Sequence, residues 1–189
     1  MPELWIVVAL ALTGVVTGFI DAVAGGGGLI MMPALLSAGL PPHVALGTNK
    51  LQSMMGTTTA ANTFWRHGLF KVRTDLGTVA VVFAGAAGGA LVVQALQARI
   101  LQLVVPGLLL AVALYVVLSP RMDDTDAHQR LGTRGYAPVA GGIGFYDGFF
   151  GPGTGSFFTT SLVALRGFGL TRATAMTKLL NATSNWASL

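Results

Sequence analysis

The octapeptide pattern Gly-Phe-x-Asp-x-x-x-Gly occurs twice, as GFIDAVAG at residues 18–25 and as GFYDGFFG at residues 144–151, each time ending an apolar run and opening a glycine-rich break. A chain that repeats such a feature is built from two related halves. Each motif is followed by a short apolar stretch, a turn containing glycine, and a second helical run that carries a lysine, Lys50 in the first copy and Lys178 in the second. The copies lie 126 residues apart at the aspartates (147 less 21) and 128 apart at the lysines (178 less 50), so the second holds two more residues between them. Gly39 with Gly167, and Ala45 with Ala173, share the later spacing.

The solvent of this repeat is lipid. Mean hydropathy is +0.70, 53% of residues are hydrophobic and only 10% are charged, which is a membrane-protein composition. The first apolar run, 4–20, carries no charge and has no basic segment before it, so a cleaved signal peptide is not expected. The absence of cysteine excludes a disulfide framework, thiol catalysis and thiolate-bound metal. A sequence pI near 10 raises nucleic acid as a partner. Eleven basic residues scattered among apolar runs form no basic stripe, however, and the charge reads as membrane topology.

Candidate spans are 4–24, 44–65, 76–96, 100–118, 137–150 and 173–189. Most approach the ~20 residues a bilayer-crossing helix needs. Two segments, 29–38 and 157–165, are too short. Each follows a glycine-rich break, and break plus segment reads as one limb of a discontinuous helix or a broken hairpin. If each short segment returns the chain across the membrane, Arg66, Lys71, Arg73, Arg121, Arg130, Arg134, Arg166 and Arg172 share one side and Arg99 lies on the other. Cytoplasmic loops hold the excess of Lys and Arg, which puts that side in the cytoplasm and the N-terminus outside. An odd number of crossings then separates the copies, and they are inverted. Were the short segments re-entrant loops, four crossings would remain and the copies would be parallel. Trp65 and Tyr115 fall near span ends, where amphipathic rings favour the interface. The fold expected is an all-α polytopic membrane protein, an inverted-repeat helical bundle with discontinuous helices. Its parts are a first repeat over 1–118, a cytoplasmic linker over 119–135 and a second repeat over 136–189. Two long spans follow the first copy but not the second, so the chain reads as ending early.

Four ionisable groups fall inside apolar segments as two matched sets, Asp21 with Asp147 and Lys50 with Lys178. Each costs ~2.5–3.5 kcal/mol at membrane depth and ordinarily faces a partner or a water-filled path. The simple reading of the aspartates is capping at a helix break, and of the lysines, snorkelling toward the headgroups. The lysine helices each carry one polar seam: Asn49, Lys50, Ser53, Gly56 and Thr57 in the first, Thr177, Lys178, Asn181, Ser184 and Asn185 in the second. Spacings of three and four place each set on one face, which serves either helix packing in lipid or a polar path. A helix that begins inside the membrane also presents unpaired N–H groups at the positive end of its dipole. Gly26, Gly27 and Gly28 in one break, and Gly153 and Gly155 in the other, let the backbone approach an oxyanion closely. Two such breaks near two ammonium groups make a candidate anion site at the repeat interface.

The segments GFIDAVAGGGGLIMMPALLSAGL, ALGTNKLQ, GFYDGFFGPGTGSF and TKLLNATSN, spread over nearly the whole chain, resemble the TauE/SafE family of sulfite and sulfonate exporters. The resemblance implies a multi-pass bacterial inner-membrane protein that moves small, often sulfur-containing anions, in a family whose members continue past the point where this chain ends.

Enzyme motifs are lacking. Residues 151–155 have no Lys-Ser/Thr ending of a phosphate-binding loop, and His43, His67 and His128 show no metal-ligand spacing. No Ser-His-Asp set shares a face. Asp123, Asp124 and Asp126 read as a solvated loop. The expected function is secondary transport of small anions, with Lys50 and Lys178 attracting the substrate, the breaks donating N–H groups, and Asp21 and Asp147 taking protons or fixing the lysines. A passive anion channel and a non-transporting scaffold are the alternatives. Expected partners are a small anion and the bilayer, with no nucleic acid, cofactor, metal or catalytic residue.

Overall fold

The computed structural model of the protein describes residues 4–23, 25–70, 72–119, 122–126 and 129–189. Lys71 and Arg121 of the charge tally, and His128, lie outside the described residues. The chain forms α1 (Leu4–Val23), α2 (Gly28–Ser37), α3 (Pro42–Arg66), α4 (Val72–Ala95), α5 (Ala98–Leu118), α6 (Thr133–Phe149), α7 (Thr154–Arg166) and α8 (Leu170–Ala187). No strand occurs among the described residues. α6, α7 and α8 each begin three or four residues before the apolar runs at 137, 157 and 173. Hydropathy marks where side chains become apolar, whereas a helix starts where its first carbonyl meets a donor four residues on.

The apolar residues are turned outward. Leu4, Leu12, Val15 and Phe19 of α1 and Leu103, Leu110 and Val117 of α5 are exposed, whereas α8 buries most of its length, Lys178 included. Among the described residues, three helical segments, Leu4–Val23, Asp75–Ala95 and Ala98–Leu118, are long and apolar enough to cross a bilayer. α3 and α8 form the polar axis inside this sheath. Their hydropathy is diluted by the seam they turn inward.

Contacts fix the direction of each helix. Along α1 and α3, Gln52 donates to the Gly14 carbonyl at 3.0 Å and Gly56 packs on the Gly18 carbonyl, so these two run in parallel. One end of the molecule gathers Gly68 and Leu69 after α3 with Asp75 of α4, Thr133 of α6, Arg166 of α7 and Arg172 of α8. The other end gathers His43 of α3, Gln94 of α4, Phe149 of α6 and Ser188 after α8. α1 and α3 therefore run opposite to α6 and α8, and the two three-helix units are inverted.

Each short helix returns toward the end its predecessor came from. The turn after α2 packs beside the first residues of α5, at the end where α3 begins. The Leu165 carbonyl near the end of α7 accepts the N–H of Leu131, just before α6, at 2.8 Å. α1–α2 and α6–α7 are broken hairpins opening to opposite ends. Three full passes, α3 to α5, lie between them, an odd number, so inversion holds with hairpins as well. The breaks themselves follow from glycine: Gly25, Gly26, Gly151 and Gly153 all have positive φ, which side chains resist.

A glycine seam locks α4 to α6. A Cβ on Gly85 would lie 2.3 Å from the Gly141 carbonyl oxygen, on Gly89 2.1 Å from that of Phe145, and on Gly148 1.9 Å from that of Ala86. Lipid provides little hydrophobic drive between helices, so close backbone approach supplies the attraction. Tyr115 packs its ring on Phe157, centroids 4.6 Å apart.

Candidate functional site

The two hairpins meet backbone to backbone. A Cβ on Gly25 would stand 3.1 Å from the Gly155 Cα, and one on Gly155 3.0 Å from the Gly25 Cα. Positions 128 apart also meet each other. The Asn185 amide donates to the Thr57 hydroxyl at 3.2 Å and the Trp186 indole to that of Thr58 at 3.1 Å. Equivalent residues in contact straddle the axis that relates the copies, and it runs between α3 and α8.

In the first break, the Asp21 carboxylate accepts the N–H of Gly26 at 3.0 Å and of Gly27 at 2.7 Å. Its second oxygen accepts the Ser53 hydroxyl at 3.0 Å. The amides expected to be open to a substrate thus hold a tethered carboxylate. The second break differs because the residue 126 after Gly26 is Pro152, which has no N–H to give. Asp147 instead accepts Lys50 Nζ at 2.7 Å and the Thr154 hydroxyl at 3.0 Å on one oxygen, and the Ser184 hydroxyl on the other. Lys50 also donates to Asn185 at 3.3 Å. Its ion pair is buried on both sides, at 6% and 2% exposure, and it joins one copy to the other. Lys178 reaches across in the mirror direction, but donates to the Asp21 main-chain carbonyl. The lysines are therefore not equivalent: Lys50 is paired with a carboxylate, and Lys178 meets a neutral acceptor.

A small cavity sits at this crossing. Asp21, Gly26, Gly28, Asn49, Lys50, Ser53, Asp147, Gly153, Gly155 and Asn181 from the sequence reading all line it. Gly27 is turned to Asp21, and Thr177 shares a hydrogen bond with Thr159 of α7 at 3.0 Å. Lys178 contacts the back of the first break, outside the lining. Thr154, to which the sequence reading gave no part in the site, and Asn185, which it placed on the polar seam but not among the substrate-binding residues, also line the cavity. Their signals were present, Thr154 as the lone hydroxyl within the second break and Asn185 as the repeat partner of Thr57. Asn49 Oδ1 is buried and meets no hydrogen-bond partner among the described residues. The cavity volume is about 10 Å³, close to the space of one water.

The acidic linker run has work beyond solvation. Asp124 accepts the Thr171 N–H at 2.6 Å and the Thr171 hydroxyl at 2.8 Å, and Asp126 accepts the Gly169 N–H at 2.6 Å. These exposed carboxylates cap the start of α8, the role the helix dipole favours. The Thr171 N–H, then its hydroxyl, hold the Asp124 carboxyl below the usual carboxylate range. His43 lies near the Leu96 carbonyl at 3.2 Å and His67 near that of Thr63 at 2.8 Å.

Two inverted helical units in an apolar sheath, with broken helices meeting at a buried charged centre, are the construction of secondary membrane transporters. The comparisons agree at the level of family. Residues 10–189 match the family model described as Sulfite exporter TauE/SafE, and the chain belongs to that family. It is 44% identical over 181 residues to "Probable membrane transporter protein YfcA" of Escherichia coli (strain K12), covering 95% of this chain and 67% of that protein. Over 174 residues it is 47% identical to "Probable membrane transporter protein ORF9" of Sinorhizobium sp, covering 90% and 66%. A "Probable membrane transporter protein" of Haemophilus influenzae is 47% identical over 176 residues, covering 93% and 69%. The chain thus spans about two thirds of the length of these relatives. No solved structure matches it.

Proposed function

We propose that the protein is a secondary transporter of small oxyanions, with sulfite and organosulfonates as the substrate class, in the bacterial inner membrane and with its arginine-bearing end in the cytoplasm. The observation that carries the reading is the cross-copy network, in which the buried ammonium of Lys50 pairs with a carboxylate of the other copy where the two breaks touch. Ionisable groups at membrane depth are retained for a path or a partner, and here they stand at the joint between inverted units.

The cavity is too small for an oxyanion, so cargo enters only when one unit rocks against the other. On opening, an oxyanion displaces the Asp21 carboxylate from the Gly26 and Gly27 amides, and Lys178 turns its ammonium from a carbonyl to the cargo. Two lysines and two aspartates leave the closed centre neutral. A bound monoanion adds one negative charge, and a proton taken by Asp21 or Asp147 restores balance, which couples transport to the proton gradient. A passive channel needs a continuous path, and a scaffold needs neither lysine.

The test is sulfite and organosulfonate flux in proteoliposomes with an imposed pH gradient. Saturable flux with counterflow is expected, with pH dependence lost in Asp21→Asn with Asp147→Asn. Unchanged flux and pH dependence in that double variant removes the aspartates from the mechanism, and large unitary currents make the protein a channel. Sidedness is read separately: with no native cysteine, a cysteine at Thr125 should be labelled only from the cytoplasm, and labelling from outside overturns the orientation.

A further inference from the structure

A second, larger concavity lies apart from the crossing, at the end where α3 and α7 finish and α4, α6 and α8 begin. Its volume is about 410 Å³, against about 10 Å³ at the centre. Phe70, Phe168 and Met176 supply apolar wall, and Arg166 and Arg172 supply charge.

Arg166 is the unusual member. It is only 9% exposed, and among the described residues its Nε donor meets no acceptor. Its guanidinium stands 5.0 Å from the Phe168 ring centroid and 5.9 Å from that of Tyr136. The Arg172 guanidinium lies 4.0 Å over the same Phe168 ring. Asp75 of α4 is the carboxylate on the cavity wall. Among the described residues, no carboxylate comes within ion-pair distance of Arg166, and Arg172 reaches only the exposed Asp126, at 3.9 Å. A basic residue closing α7 is favoured by the helix dipole, which explains why Arg166 stands in the last turn. It does not explain a buried donor left empty beside a cavity, since buried polar groups are ordinarily satisfied. A guanidinium stacked on aromatic rings keeps its planar fork free for a carboxylate, sulfonate or phosphate.

We propose that this cavity is an anion-binding vestibule. Arg166 and Arg172 hold the oxyanion head of a small amphipathic molecule whose apolar part rests on Phe70, Phe168 and Met176. The head is a sulfonate, carboxylate or phosphate group, and it arrives either on a soluble organic anion or on a lipid headgroup. The proposal stands independently of the central site, because it concerns binding at one end and not passage through the middle.

The experiment is isothermal titration of butanesulfonate into the protein in dodecyl maltoside, with butanol as the uncharged control. Butanesulfonate is expected to bind and butanol not to. Affinity should fall about tenfold or more in Arg166→Gln, the loss expected of one charge-assisted hydrogen bond. Arg166→Lys keeps the charge without the fork and should be intermediate, and Arg172→Gln should also weaken binding. These last two carry the test if Arg166→Gln does not fold. Repeating the titration in nanodiscs separates the sources. Weaker binding in phosphatidylglycerol than in phosphatidylcholine identifies a lipid headgroup as the resident, and equal binding identifies a soluble anion. No butanesulfonate binding in detergent, or the same affinity in wild type and all three variants, overturns the vestibule.

Discussion

Removing one partner of the Lys50–Asp147 pair tests whether the two units are held together by charge. At 2.7 Å the gross attraction is about 6 kcal/mol at an effective dielectric near 20, most of it offset by taking both groups from water. The measurable quantity is the cost of leaving one charge buried alone, about 3–5 kcal/mol. The neighbours decide where in that range each variant falls. Lys50→Ala leaves Asp147 with the Thr154 and Ser184 hydroxyls, so its cost should be about 3 kcal/mol. Asp147→Ala leaves Lys50 with Asn185 at 3.3 Å, and the cost should approach about 5 kcal/mol. Removing both deletes the orphaned charge, so the double variant should cost no more than the worse single one. That corresponds to a coupling of about 3 kcal/mol, at the upper end for neighbouring residues. Unfolding by sodium dodecyl sulfate in mixed micelles, followed by tryptophan fluorescence, reads all four proteins. Single variants that each cost under about 1 kcal/mol, the range of a solvated pair, would refute the reasoning, as would strictly additive effects.

Two further outcomes follow from the packing and the linker. Gly148→Ala drives a Cβ to 1.9 Å from the Ala86 carbonyl oxygen and should cost about 1–3 kcal/mol by overpacking. Gly142→Ala faces open space in the same helix and should be neutral or stabilise by up to about 1 kcal/mol; equal melting temperatures in detergent would contradict the glycine seam. Asp124 has its carboxyl held low by Thr171, so its contribution is fully present above the ordinary value of about 3.9 and is lost as pH falls through the lower folded value. A spin label at Thr125→Cys should be immobile at neutral pH and mobile once pH falls well below 4, and Asp124→Asn should free it at all pH values. A label whose mobility ignores both pH and the substitution would show that the linker is not docked on α8.

Several features were legible because they depend on local order. The GFxD repeat located both hairpin turns, and the isolated Lys50 and Lys178 marked the two helices that form the polar axis. Helix edges were less legible, since Thr133, Thr154 and Leu170 begin their helices outside the apolar runs. The glycine seam went unread although Gly85 with Gly89, and Gly144 with Gly148, carry the four-residue spacing of close helix contacts. The acidic linker reads as solvated because nothing in its own sequence points to Gly169 and Thr171, more than forty residues on.

The sequence by itself determined the lipid environment, the two-fold repetition and the ionisable residues set inside apolar segments, because hydropathy and glycine breaks act over one or two helical turns. Only the tertiary structure decided the partners. Lys50 and Asp147 lie 97 positions apart, and their meeting depends on how two inverted units are set against each other. It also decided that the copies differ in chemistry. Asp21 folds back on the amides of its own break, while Pro152 denies Asp147 the counterpart of the Gly26 donor and Asp147 takes Lys50 instead. The proline is visible in the sequence, but its effect exists only once the second unit brings a lysine within reach.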